Sequence, residues 1–186
     1  MPLHYALTDA LVALVAAWGA WQMQQSRQPV AVFGFALFAL AGLIGTVRIT
    51  SGQIEQMAML HKMASQLGGL AGLVLLLSQI VRKQLWSHTP TASMLAAVVA
   101  LAIAAIAPAI GAALFIAMLL VALTLLLKAR AFVGAAGFAL MLLGAILVRQ
   151  SGILGPDISW HAYHVIVAIW LFCTAMCLRA GKLSGA

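Results

Sequence analysis

45-GTVRITSGQIEQMAMLHKMASQLGGLAG-72 is the stretch on which the reading of this chain turns. It sets Arg48, Glu55, His61, Lys62, Ser65 and Gln66 into surroundings that are otherwise almost pure hydrocarbon. Polar groups in or beside a membrane segment are costly, and where they gather they mark functional positions. The flanking sequence supplies the membrane. Of 186 residues, 65% are hydrophobic, and only ten are basic and three acidic. So few charges cannot clothe a soluble domain of this length. Apolar runs of about 20 residues recur from end to end, the length needed to cross a bilayer as helix. The expectation is a single all-α domain over 1–186, a polytopic bundle of transmembrane helices.

Seven spans are predicted, at 6–24, 29–49, 55–81, 91–107, 111–128, 131–148 and 158–178. Residues 91–128 are too long for one span and leave little room for a loop between two. Pro108 and Gly111 make a tight hairpin the natural break. A six-span arrangement with a re-entrant segment is the alternative. The N-terminal MPLHYALTDALVAL has no basic start and no A-x-A cleavage pattern, so it reads as a retained first helix. Cys173 and Cys177 lie one turn apart on one segment, which suits small buried residues better than a disulfide framework.

The basic residues orient the bundle. Arg27, Arg82, Lys83, Lys128, Arg130, Arg179 and Lys182 fall at one set of loops, where His88 also lies, and Arg48 and Arg149 at the other. This predicts the N-terminus outside and the C-terminus in the cytoplasm, in a bacterial inner membrane. Because the cations are scattered singly, they fit loop ends facing anionic lipid and do not suggest nucleic acid. The expected partners are membrane lipid and, alternatively, another membrane protein.

Orientation then sorts the remaining polar residues. Asp9, Arg48, Glu55, His61, Arg149, Gln150, Asp157, Ser159, His161 and His164 all fall in the outer half. Helical spacing turns several inward. Asp9, Ala13, Ala16 and Ala20 share a stripe, as do His61, Ser65, Gly68 and Gly72, and Gly134, Gly137, Met141 and Gly144. Stripes of small residues let helices approach closely in lipid. Asp157, His161, His164 and Ala168 share one face of the last span.

Three imidazoles, His61, His161 and His164, could hold zinc and leave a fourth position for water, whose pKa then falls towards neutrality. Asp9 is the candidate base or proton carrier, and Asp157 could orient a ligand histidine. The competing reading places His161 and His164 at headgroup level beside Trp160 and Tyr163, with no metal. Arg48 could pair with Glu55, bind a lipid phosphate, or simply snorkel. Met57, Met59 and Met63 surround His61, but they divide between two helix faces and read as gap fillers rather than as a copper site. A haem between His61 and His164 is a further alternative.

The polar cluster from the end of the second span into the third, with HAYH opening the seventh, resembles the alkaline ceramidase and adiponectin-receptor superfamily of seven-span membrane hydrolases. The resemblance implies a zinc ion held by one histidine near the end of the second span and two in the seventh, with a serine and an aspartate assisting. Here the second-span position is occupied by GTVRITSG, and HAYH is one residue tighter than the family's H-x-x-x-H. His161 and His164 carry over, and His61 would replace the missing ligand. The implied activity is hydrolysis of a lipid amide or ester, with Arg48, Glu55, Ser65 and Asp157 around the ligands. A non-enzymatic lipid-binding protein or membrane subunit could use the same pocket. A small transporter is disfavoured by the lack of charge at mid-membrane.

Overall fold

The computed structural model describes residues 2–84, 89–148 and 154–180, and among these there is no strand. Helix forms seven rods: α1 (His4–Gln25), α2 (Pro29–Thr50), α3 (Ala58–Gln84), α4 (Pro90–Ile106), α5 (Pro108–Lys128), α6 (Phe132–Val148) and α7 (Gly155–Arg179). His88, Arg149, Gln150 and Lys182 lie outside the described residues. Five rods are long and apolar enough to cross a membrane, while α4 and α6 are shorter apolar helices. At about 1.5 Å per residue, the 17 residues of α4 reach roughly 26 Å, short of a hydrocarbon core about 30 Å thick. The chain is an all-helical integral membrane protein.

Local chemistry explains where the rods begin. Pro29, Pro90, Pro108 and Pro156 each sit in the first turn of a helix, where a missing N–H costs nothing. Thr89 caps α4 by accepting from the Ala92 N–H at 3.3 Å. The hairpin expected at Pro108 is tighter than a loop: Ala107 alone, extended at φ −136°, separates α4 from α5. Arg27 and Arg130 both adopt φ 54°, turning the chain sharply from α1 to α2 and from α5 to α6.

Six rods enclose one core in the order α1, α2, α3, α5, α6, α7, with α7 closing back on α1. α4 packs outside, its Ala97, Ala100 and Ala104 against Leu70, Ala71, Val74 and Leu75 of α3. The centre is Trp170, fully buried and edge-on to Phe38 at 5.2 Å and Phe138 at 5.6 Å between ring centroids. Each such ring pair contributes about 1 kcal/mol beyond its area.

The small-residue stripes are borne out in α6, where Gly134, Gly137 and Gly144 face Cys177, Cys173 and Ile166 of α7. Both cysteines are free and fill these contacts; Cys177 is buried as expected, while Cys173 is half-buried. In α3 the stripe breaks. The π turn at Ala64–Gly68 inserts one extra residue and rotates the remainder of the helix by about 100°. Gly72 therefore packs on Phe38 while Ser65 is exposed.

Glycines on α2 set the α1–α2 distance. A Cβ on Gly42 would lie 2.7 Å from the Asp9 backbone oxygen and 2.8 Å from the Ala13 nitrogen, neither of which can swing aside. Gly42→Ala should therefore cost about 2 kcal/mol. Gly68→Ala, whose new methyl meets its nearest neighbour at 4.0 Å, should leave stability unchanged or slightly raised. Thermal unfolding of both variants in detergent micelles checks the contrast.

Candidate functional site

The site lies at the end of the bundle where α1, α3 and α7 begin and α2 finishes. α3 starts at Ala58, later than the expected residue 55, because residues 54–57 form a turn. His61 is consequently in the first turn of its helix rather than two turns inside it. That position places it at the mouth of a cavity of about 430 Å³. Arg48, His61 and Lys62 line one side, and Trp160, Tyr163 and His164 line the other. Ser65, Gln66 and Ser159 also contribute to the lining.

Behind this lining sits Asp9, 1% exposed. Its Oδ1 is 2.9 Å from His164 Nε2. His164 Nδ1 lies 2.7 Å from the Trp160 carbonyl, which can only accept, so Nδ1 carries a proton. A neutral imidazole would then turn its Nε2 lone pair on the carboxylate. The Oδ1–Nε2 contact becomes a hydrogen bond when a second proton sits on either atom, and the pair then carries no net charge.

His61 approaches the same carboxyl from α3. A Cβ on Gly45 would fall 2.7 Å from the Asp9 carboxyl carbon and 2.9 Å from His61 Nε2, so only glycine lets the two side chains meet across α2. Asp9 Oδ2 is buried there without a hydrogen-bond partner. On its other edge, His61 Nδ1 accepts from Arg48 Nη1 at 3.3 Å, since a guanidinium can only donate. Arg48 Nε also donates to the Ile54 carbonyl at 2.7 Å, tying down the turn before α3.

The structure separates the other candidates. His161 lies against Tyr5 and His4, with Nδ1 3.3 Å from Thr8 Oγ1. Asp157 is exposed and accepts from the Tyr5 hydroxyl, linking the starts of α1 and α7 instead of facing the cavity. Glu55 is exposed in the turn before α3, and the pairing with Arg48 is replaced by the Ile54 carbonyl. Ser65 donates to the His61 carbonyl at 2.7 Å. Residues that sequence reasoning missed are Gly45, Thr8 and Tyr5. The signal for Gly45 was its place one turn before Arg48, on the same face as Gly42 and Gly34.

A three-histidine zinc site needs three imidazole lone pairs converging on one point. His164 has both nitrogens engaged, His61 turns one to a guanidinium, and His161 faces elsewhere. Among the described residues, no three His, Cys, Asp or Glu side chains are grouped to hold a metal ion. The residues as placed do not fit that ligand set, nor a haem ligated by His61 and His164.

No family model, no curated protein and no solved structure matches this chain.

His164→Ala removes the partner that a buried carboxyl has among the described residues, whereas His161→Ala removes one long hydrogen bond and two ring contacts at a half-buried position. The first should cost about 3 kcal/mol and the second about 1 kcal/mol. Adding Asp9→Asn to His164→Ala should cost less than the sum of the separate changes. Thermal or denaturant unfolding of the four variants measures the coupling.

Proposed function

We propose that this chain is a seven-span protein of a bacterial inner membrane, N-terminus outside, that binds a membrane lipid by its headgroup in the cavity between α2, α3 and α7. The supporting observation is the cavity lining. Two cations and two imidazoles face a space of about 430 Å³, with the rings of Trp160 and Tyr163 beside them. Polar groups with adjoining aromatic walls, at the end of a bundle, suit a molecule that is polar at one end and apolar at the other. The positive-inside asymmetry supports the orientation, and two 17-residue helices beside five longer ones are compatible with local thinning of the bilayer.

Hydrolysis of a lipid amide or ester with Asp9 as base is the competing reading. The unpartnered Asp9 Oδ2 beside His61 favours it. Against it, Asp9 is closed off behind Gly45, and neither imidazole of the cavity turns a free lone pair outward. Binding without turnover is the reading that the donor and acceptor pattern supports best. The resemblance to the ceramidase and adiponectin-receptor superfamily then concerns architecture rather than chemistry.

Ser159→Trp should fill the cavity without touching the Asp9–His164 pair. In native mass spectrometry of gently solubilised protein, the wild type should carry a lipid adduct and Ser159→Trp should lose it, with melting temperature unchanged. Wild type free of lipid at every detergent concentration would defeat the reading. For orientation, a reporter fused after Ala186 should be active only in the cytoplasm, and periplasmic activity would reverse the sidedness.

A further inference from the structure

We infer that the group recognised in this cavity is a phosphate, carried by a lipid headgroup; the inference rests on the lipid-binding reading and specifies its ligand. Among the described residues, the charged groups lining the cavity are both cations: Arg48 and Lys62 face it and no carboxylate does. The nearest carboxyl, Asp9, is buried behind the lining and turned to His164 at 2.9 Å, so it does not face the space between the two cations.

Among the described residues, neither cation is in an ion pair. Arg48 is held in place by the Ile54 carbonyl through Nε and by His61 through Nη1, which fixes its plane and leaves Nη2 for a ligand. A guanidinium held in this way suits the tetrahedral oxygens of phosphate, and Lys62 adds a point charge one residue after His61. Ser65 and Ser159 bring hydroxyls to the same lining. The charge distribution along the chain adds a separate argument. Anchoring cations crowd the opposite end of the bundle, at Arg27, Arg82, Lys83, Lys128, Arg130 and Arg179. At this end, among the described residues, the basic side chains are Arg48 and Lys62, and both line one cavity. Snorkelling alone would not bring them together.

The test is calorimetric titration of the purified full chain in uncharged detergent. Dihexanoyl phosphatidic acid, dihexanoylglycerol and inorganic phosphate are the probes, with wild type and Lys62→Gln compared. Lys62 is exposed, so its loss should not unfold the protein. Phosphatidic acid should bind wild type at least tenfold more tightly than dihexanoylglycerol. Lys62→Gln should weaken phosphatidic acid about tenfold and leave dihexanoylglycerol unchanged, as for loss of one charge-assisted contact. Inorganic phosphate binding as tightly as phosphatidic acid would support the phosphate site but overturn its lipid source. Equal affinity for phosphatidic acid and dihexanoylglycerol, or an unaltered Lys62→Gln, would overturn the phosphate inference and leave lipid binding standing. No binding of any probe would overturn both.

Discussion

A carboxyl group inside a membrane bundle has to be neutralised by something, and for Asp9 that something is His164, 2.9 Å away. An unpaired charge at such a position costs several kcal/mol. The contact with His164 offsets that cost, and much of the surrounding architecture serves to make it. Helix α7 must lie against α1 for the imidazole to arrive, so the contact helps to close the ring of six rods. Trp160, one turn earlier on α7, supplies the carbonyl that sets the His164 tautomer and stacks on the ring at 4.5 Å. Tyr5 and Asp157 fasten the same two helices at their starts.

Glycine on α2 leaves room for the pair. A Cβ on Gly45 would strike the Asp9 carboxyl, and one on Gly42 would strike the backbone of Asp9 and Ala13. Gly45 also opens the gap through which His61 reaches the far side of the carboxyl. The buried contact thus needs glycine at Gly45, joins the first and last helices and forms the back wall of the cavity.

The wall explains why the cavity has the charge it has. Because Asp9 is buried against His164, Arg48 and Lys62 are the charged side chains of the cavity lining among the described residues. Arg48 is spent partly on architecture, since it holds the turn before α3 through Ile54 and orients His61. On the proposed reading such a site binds an anion rather than activating water. His61 accepts from Arg48, and His164 donates to the Trp160 carbonyl, so these ring nitrogens are committed to the protein.

Composition and periodicity alone determined the class of this protein: helices of roughly spanning length, the positions of all seven rods to within about three residues, and the end at which polar groups collect. Those properties depend on the cost of exposing polar backbone and side chains to lipid, which acts residue by residue and can be read along a line. The small-residue stripe of α6 was legible for the same reason. Which histidine meets which partner was decided only in three dimensions. HAYH places His161 and His164 three residues apart, a rotation of about 60° from exact alignment, and the packing against α1 brings one to Thr8 and the other to Asp9. The π turn in α3, invisible to a fixed helical period, moved Ser65 out of the expected stripe. Metal ligation needs lone pairs at one point, and that depends on the hydrogen bonds each ring nitrogen has already made, which only the packed helices define.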